Sequence, residues 1–235
     1  MCWQWLSTIY PTAIIPSLGE VGKAIIEIYH NDELMQQVGW SVLRVLIASI
    51  ISVLIGVALG IVGGLSNFIY RALYPLFIVF ENVPPIAWIV LTIMWFSIGS
   101  MPAIAVGVLT AAPIIFFYTV EGVRATPKKL LEMATDFGMS RRERLMQIYL
   151  PSIMPPIGAS LSTAMSLNWR VVVMAEALSA YNGIGQKLWG SYLYGDSSIS
   201  YAYIFVIAIL GLMMEYLLIK PIKHLIDRRY GMAAC

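Results

Sequence analysis

The chain has 235 residues, of which 59% are hydrophobic and 12% are charged, and its mean hydropathy is +0.78. Soluble domains carry roughly 25% charged residues. This composition therefore excludes a soluble fold, because one core of this size could not bury so much apolar surface. The net charge of only +2 argues against a nucleic-acid partner, and the length predicts one domain, residues 1–235, within the lipid bilayer.

Five segments are long and apolar enough to cross a bilayer as helices, which takes about 20 residues each. In chain order they are Ser41–Gly63, Leu73–Ile98, Pro102–Val120, Ile153–Met174 and Tyr201–Ile219. The second segment contains Pro84-Pro85, and we expect its helix to break there. Residues Met1–Ile15 are apolar but too short to count as a sixth span. The sequence thus predicts an all-α polytopic bundle with five spans.

Gly56 and Gly60 of the first span and Gly64 directly after it recur at intervals of four residues. Four residues are about one helical turn, so these glycines form one flat face that allows a close helix approach. Packing within the chain is the more usual role of such a face, and contact with a second subunit is the alternative.

Basic residues are distributed unevenly between the two sides of the membrane. If the loop Gly122–Arg144 is cytoplasmic, eleven of the 15 Lys and Arg residues lie on that side: Arg71, Arg124, Lys128, Lys129, Arg141, Arg142, Arg144, Lys220, Lys223, Arg228 and Arg229. The opposite side has Lys23, Arg44 and Lys187, and Arg170 lies inside a span. Because cytoplasmic loops are enriched in Lys and Arg, we expect a cytoplasmic C-terminus.

The loop at residues 122–151 is predicted to form two short helices that meet at a glycine. Thr126 can cap the first helix, and Pro127 suits its first position. Gly138 can adopt the left-handed conformation that ends it. Ser140-Arg-Arg-Glu143 is a capping box that starts the second helix, which we expect to stop before Pro151.

The first of these helices presents an apolar stripe on a polar background. The stripe consists of Leu130, Leu131, Ala134 and Phe137. A short, capped, amphipathic helix of this kind is suited to dock into a groove of another protein. The alternative is that the loop is a solvated connector whose charges only set the orientation of the chain.

The same loop resembles the EAA motif of binding-protein-dependent ABC importer permeases. Its Glu132-Met133-Ala134, Gly138 and Ile148-Tyr149-Leu150-Pro151 fall at the spacing of that motif, with Met133 in place of the first alanine. In the family this motif forms the coupling helix that fits the ATPase subunit. The resemblance implies that the coupling residues are Leu130, Leu131, Glu132, Ala134, Phe137, Gly138, Leu150 and Pro151.

Further segments resemble the nitrate/sulfonate/taurine branch of these permeases. They are Ser41–Val45, Val83–Trp88, Trp95–Gly99, Asn168-Trp169 with Ala175-Glu176, and Gly183–Gly185. The resemblance implies a type I importer permease fold, multi-pass in a bacterial or archaeal cytoplasmic (inner) membrane. Members of the branch usually have one more helix before the segment that begins at Trp3, so we expect the first helix to be absent or truncated.

The family resemblance also implies partners. These are an ATP-binding-cassette ATPase subunit, an extracytoplasmic substrate-binding protein, for which Tyr181–Ser200 is a candidate contact, and a second permease copy, most simply in a homodimer. The sequence has no phosphate-binding Gly-Lys-Ser/Thr, so ATP and Mg²⁺ are expected on the ATPase, and this chain is not expected to be an enzyme. Nitrate, sulfonates, taurine and vitamin precursors remain open as substrates.

Polar groups inside the predicted spans are candidates for the translocation path, because such groups are costly in a membrane and often functional. Broken backbone at membrane depth is tolerated where it lines a cavity. We therefore predict a path that includes Glu81, Asn82, Pro84, Trp88, Asn168, Arg170 and Glu176. As alternatives, Glu81 could be buried in an ion pair with Arg44 or Arg170, and Arg170 could reach the outer interface or pair with Glu176.

Two other functions are alternatives to the importer. A stand-alone channel or secondary carrier is the main alternative, but carriers often show internal repeats, and none is evident. A membrane-embedded enzyme would need metal ligands or a nucleophile with its base inside the spans. His30 and His224 lie in loops on opposite sides, and Cys2 and Cys235 lie at the two ends, so no metal site is predicted.

Overall fold

The structure is a computed structural model that describes residues 14–30, 33–221, 224 and 228. These residues form helices joined by short loops, and no strand occurs among them. The helices are α1 (Leu18–His30), α2 (Glu33–Leu65), α3 (Asn67–Asn82), α4 (Pro85–Phe96), α5 (Ser100–Arg124), α6 (Lys128–Asp136), α7 (Arg141–Arg144), α8 (Leu150–Ser179), α9 (Ile184–Leu193) and α10 (Ser197–Met214). Two π-helical turns, Leu145–Tyr149 and Glu215–Ile219, follow α7 and α10. The predicted all-α fold is confirmed.

Three helices are long and apolar enough to cross a membrane, namely Leu34–Leu65, Ser100–Arg124 and Ser197–Leu217. The pair α3 and α4 qualifies as a fourth span if the two bent helices are counted together. The predicted span Ile153–Met174 lies in α8, whose 30 residues extend about 45 Å. The number of spans stays a prediction, and the predicted N-terminal segment Met1–Ile15 lies almost wholly outside the described residues.

The break in the second predicted span is confirmed. α3 ends at Asn82, α4 begins at Pro85, and the two axes are bent by 102°. Val83 has an extended backbone with φ −74° and ψ 127°, as expected for a residue that precedes a proline. The proline pair therefore ends one helix and begins the next.

The described helices pack into two compact units. The first unit comprises the described residues up to Ala48, together with Pro85–Gly107 and Trp169–Met213. The second unit comprises Ser49–Pro84, Val108–Asn168 and the described residues from Met214 onward. The long helices α2, α5 and α8 each contribute residues to both units.

In the second unit, α2 packs closely against α5 through its glycines. A β-carbon added at Gly56 would lie 2.7 Å from Ile115, and one added at Gly60 would lie 2.5 Å from Thr119. Gly64 approaches Val123 in the same way, with 2.6 Å to the nearest side-chain atom. The predicted close-packing face is therefore used within the chain.

Aromatic packing attaches α3 to the same unit. Phe77 and Phe116 stack with ring centroids 4.2 Å apart, and both are buried. Tyr70 also stacks with Phe116, with ring centroids 6.4 Å apart. Offset ring contacts of this kind add to the gain from burial alone, so α3 is held by its side chains as well as by its short connection to α2.

Candidate functional site

The short helix α6 starts and ends at residues that suit its termini. Pro127 occupies the N-cap position, and the helix begins at Lys128. The prediction that Thr126 caps α6 is wrong, because its hydroxyl donates back to the carbonyl of Gly122, 3.4 Å away, at the end of α5. Hydroxyl groups compete for such carbonyls four residues back. Gly138 has φ +69°, which confirms the predicted left-handed residue after α6.

The predicted capping box at the start of α7 is confirmed. The N–H of Glu143 donates to the Ser140 hydroxyl at 3.3 Å, and the N–H of Ser140 donates to the Glu143 carboxylate at 2.7 Å. The backbone N–H and the hydroxyl of Ser140 lower the pKa of Glu143, because both stabilise the charged carboxylate. The box therefore fixes the turn between α6 and α7 at neutral pH.

The prediction that the second helix of the loop stops before Pro151 is wrong. α7, the π turn Leu145–Tyr149 and α8 follow one another without a gap, so helix runs from Arg141 to Ser179. In an α-helix the ring of Pro151 would meet the carbonyl of Gln147, four residues back. Gln147 lies in the π turn, whose irregular hydrogen bonding accommodates the proline. The loop is thus joined to α8 by continuous helix.

α6 exposes an apolar face that differs from the predicted stripe. Leu130, Met133 and Phe137 are exposed, Phe137 to 81% and Met133 to 53%. Their spacing of three and four residues places them on one side of the helix. We call these three residues the exposed face of α6.

Two members of the predicted stripe lie elsewhere on the helix. Ala134 is only 3% exposed. Leu131 is half-buried and, with Glu132, lines a cavity of about 540 Å³ whose other walls include Leu65 and Tyr149. Met133 was missing from the predicted stripe, although its spacing from Leu130 and Phe137 was a usable signal. The roles of all these residues stay predictions.

A buried ion pair forms the polar centre of the first unit. Arg44 of α2 and Glu176 of α8 are 2% and 0% exposed, and their Nη1 and Oε1 atoms lie 2.7 Å apart. The other carboxylate oxygen of Glu176 accepts bonds from the Ser41 hydroxyl at 2.6 Å and from the Gly185 N–H at 3.3 Å. Buried charges are tolerated when they are paired and hydrogen-bonded in this way.

The same pair holds the turn between α8 and α9. Arg44 donates to the Ser100 hydroxyl and to both the carbonyl and the side-chain oxygen of Asn182. Gln37 accepts from the Gly183 N–H at 2.6 Å, and Ser41 accepts from the next N–H along the chain. Gly183 has φ +110°, and a β-carbon there would lie 2.6 Å from the Glu176 carboxylate. Only glycine fits this position.

The predicted path residues lie in different surroundings. Glu81 and Asn82 are exposed at the end of α3, where the Asn82 amide donates to the carbonyl of Ile78 at 2.8 Å. The alternative of a buried pair between Glu81 and Arg44 is wrong, because Glu81 is exposed and Arg44 pairs with Glu176. The partnership of Arg44 with Glu176 was missed, although each is a charge within an apolar stretch.

The remaining path residues divide into buried and exposed ones. Trp88 of α4 is 9% exposed, and Pro84 lies at the break before that helix. Asn168 is fully buried and donates to the Ser49 hydroxyl at 3.0 Å, within the second unit. Arg170 is exposed on α8 and lines a cavity of the first unit. Their part in a translocation path stays a prediction.

The membrane-length helices and the broken span define a polytopic helical membrane protein. The family model described as the binding-protein-dependent transport system inner membrane component matches residues 52–230. The chain belongs to this family, and the predicted resemblance is confirmed.

Three relatives show the range of the branch. The nitrate import permease protein NrtB of Leptolyngbya laminosa is 32% identical over 184 residues, which cover 78% of this chain and 66% of the relative. The taurine transport system permease protein TauC of Escherichia coli is 29% identical, with 77% and 66% covered. The bicarbonate transport system permease protein CmpB of Synechococcus elongatus is 31% identical, with 70% and 60% covered. The chain therefore matches about two thirds of the length of these relatives or less.

Solved structures of two transporters share the fold. A chain of the inward-facing MetNI methionine ABC transporter superposes with a TM-score of 0.72 at 18% identity, covering 82% of this chain and 95% of that one. A chain of an amino acid ABC transporter gives 0.61 at 17% identity, with 86% and 96% covered. At these identities the likeness establishes the architecture, and the predicted permease fold is confirmed.

Proposed function

We propose that this chain is the membrane-spanning permease subunit of an ATP-driven importer and forms the path for a small solute. A separate ATPase subunit, which binds ATP and Mg²⁺, docks on the exposed face of α6. The observation that carries the proposal is this face itself. Leu130 and Met133 of this nine-residue helix are exposed, as is Phe137 at its C-cap, within the family's motif. Exposed apolar side chains that cluster on one helix face are typical of a protein contact.

The connection of α6 to the rest of the chain would allow a movement at the ATPase contact to reach the membrane helices. Ala134 packs against the chain on the buried side of α6, while the apolar face points outward. The capping box at Ser140 leads directly into the helix that runs to Ser179. A displacement of α6 by the ATPase would therefore be transmitted to α8. Each chain has one such helix, and the ATPases act as a pair. Two permease copies would therefore move together.

The substrate is expected to be a small solute handed over by an extracytoplasmic binding protein. The relatives are named for nitrate, taurine and bicarbonate, which supports a small anionic or zwitterionic solute here. We propose that the chain spans the membrane with its α6 loop and its C-terminus on the cytoplasmic side. The basis is the cluster of basic residues around Arg141 and Arg142. Glu81 and Asn82, at the broken span, are proposed to line the path.

The docking assignment is tested by changing Gly138 to Val. Gly138 has φ +69°, a backbone conformation that β-branched residues strongly disfavour. We expect Gly138→Val to distort the end of α6 and to abolish co-purification with the ATPase and ATP-driven uptake. Gly138→Asn is the matched control, because Asn tolerates this conformation, and it should retain most of the complex. Full complex formation and uptake by the Val variant would contradict the assignment.

A further inference from the structure

The cavity of about 540 Å³ beside α6 lies wholly within the second unit. From α6 it is lined by Leu131, Glu132 and Thr135. Around the helix axis these three residues are centred about half a turn away from the exposed face of α6. The cavity is therefore behind the surface proposed for the ATPase, and a molecule bound in it would leave that surface free.

The other walls of the cavity bring apolar and basic side chains together. Leu65, Leu145 and Tyr149 contribute apolar surface, and Arg141 and Arg144 contribute positive charge. The two arginines are three residues apart in α7, so they are neighbours on the surface of that helix. The volume is within the range of about 300–1,000 Å³ that is common for ligand pockets. The lining therefore suits an amphipathic ligand with a negatively charged group.

The two guanidinium groups have donors available for such a group. Arg144 donates to the Thr135 hydroxyl at 3.3 Å, which uses one of its five N–H donors. Among the residues that the structure describes, neither Arg141 nor Arg144 forms an ion pair, and Glu132 pairs with neither of them. Two guanidiniums against one carboxylate leave the lining positively charged.

We infer that this cavity binds an anionic phospholipid of the cytoplasmic leaflet, with its phosphate at Arg141 and Arg144 and its glycerol and first acyl carbons against Leu65 and Leu145. A guanidinium donates two parallel hydrogen bonds to a phosphate. Basic pockets at the cytoplasmic ends of membrane helices are suited to acidic lipid headgroups. The choice of leaflet rests on the proposed orientation of the chain.

The position of Leu65 favours a lipid over a soluble phosphate compound. Leu65 is the last residue of a helix that is long and apolar enough to cross a membrane, and it is 52% exposed. In a membrane-spanning chain this residue lies where acyl chains meet headgroups, so a lipid can enter the cavity from the bilayer. A free phosphate ion would occupy the arginines and leave the leucine side chains without contact.

A lipid in this cavity would contact both α6 and α7. It would hold α6 in one position relative to the continuous helix that runs into α8. If α6 is the ATPase contact, as proposed above, the anionic lipid should raise the affinity of the permease for the ATPase. The inference thus goes beyond the transport function and adds a regulatory lipid site.

The inference is tested on the full chain, purified without its ATPase in detergent and titrated with phosphatidylglycerol. Native mass spectrometry counts the lipids that stay bound. One phosphatidylglycerol should bind more tightly than phosphatidylcholine by about ten-fold or more, because the choline cation offsets the phosphate charge. Excess glycerol 3-phosphate or inorganic phosphate should not displace it, since neither has an acyl chain.

Variants locate the site. The double variant Arg141→Gln, Arg144→Gln should weaken phosphatidylglycerol binding by about ten-fold or more, as expected for the loss of charge-assisted hydrogen bonds. Arg142→Gln is the matched control, because it removes the same charge from an exposed position of the same helix that does not line the cavity. It should bind the lipid like wild type. Leu145→Trp should weaken binding by filling the cavity without a change of charge.

Three results of the lipid titration would overturn the inference. Equal binding of phosphatidylglycerol and phosphatidylcholine would show that no acidic headgroup is recognised. An equal loss in Arg142→Gln and in the double variant would assign the binding to the diffuse positive charge of the loop. Displacement by glycerol 3-phosphate would make the cavity a site for a soluble phosphate compound.

The ATPase provides the last comparison, in nanodiscs of phosphatidylcholine with and without phosphatidylglycerol. The double variant should lower ATPase binding in the presence of phosphatidylglycerol and leave it unchanged in phosphatidylcholine alone. An equal loss in both would mean that the arginines contact the ATPase, and it would overturn the lipid site. Because lipid binding is measured on the permease alone, a failure of the Gly138→Val test would overturn the docking assignment and leave the lipid site intact.

Discussion

The exposed face of α6 turns apolar side chains outward, whereas the first unit buries a guanidinium and a carboxylate. Leu130, Met133 and Phe137 are exposed to solvent, so the apolar surface of α6 would be covered only by another chain. Arg44 and Glu176 are buried, and each finds its charged and polar partners within the same unit. The exposed face of α6 therefore needs a partner chain to cover it, whereas the network of Arg44 and Glu176 has its partners within the first unit.

This contrast predicts that damage to the network affects stability, whereas damage to the face affects association. Arg44→Met should have the largest effect, because it leaves the Glu176 carboxylate buried without its cation. Loss of one member of a buried pair costs about 3–5 kcal/mol. We expect a sharp fall in the thermal transition of the purified protein, measured by size-exclusion chromatography after heating.

The double variant Arg44→Met, Glu176→Leu provides the control. Replacing both charges with apolar residues removes the uncompensated carboxylate, so the double variant should recover part of the lost stability. A single variant as stable as wild type would show that the pair contributes nothing to the fold.

The second prediction concerns the close contact of α2 with α5. Gly60→Ala would place a β-carbon 2.5 Å from Thr119, and overpacking of this kind costs about 1–3 kcal/mol. The matched control is Gly39→Ala on the same helix, where no atom lies within 4 Å of the added carbon. We expect the control to equal or exceed wild-type stability in the same heating assay. Equal stability of the two variants would mean that the helices can separate at no cost.

The third prediction concerns Phe137 on the exposed face of α6. Phe137→Ala should weaken ATPase binding by about 2 kcal/mol, as expected for a large apolar side chain at the centre of a contact. Because Phe137 is 81% exposed, the stability of the isolated permease should change by about 0.5 kcal/mol or less. Binding is measured by titration of the ATPase onto permease nanodiscs, with Asp136→Asn as the neighbouring control. A loss of stability without a loss of binding would show that Phe137 stabilises the fold and does not contact the ATPase.

The smallest effect is the pH dependence of the turn after α6. The pKa of Glu143 is lowered from its ordinary value of 4.5 by the N–H and hydroxyl of Ser140. The contribution of this carboxylate to the turn is therefore fully present above pH 4.5 and is lost as the pH falls through the lowered pKa. We expect hydrogen-exchange protection of the capped amides to fall with acidification in wild type and to stay constant in Glu143→Gln. A pH-dependent Gln variant would contradict this account.

Much of the loop at residues 122–151 was predictable because its signals are local. The left-handed Gly138 and the Ser140 capping box each depend on a few adjacent residues, and the structure has both. The break at Pro84-Pro85 was predictable for the same reason, since a proline limits its own backbone and that of the residue before it. The end of the second helix was not, because the π turn at Leu145–Tyr149 lets the chain continue through Pro151.

The sequence by itself determined the helical membrane character, the family and the local turns, because apolar run length, proline and glycine act over a few residues. The tertiary structure alone decided which charges meet. Arg44 and Glu176 are 132 residues apart, and no periodicity in one helix reports the position of another. It also decided that Ala134 faces inward while Met133 faces outward, and that Arg170 borders an apolar cavity. Burial depends on which helices pack together, and that packing is a property of the whole chain.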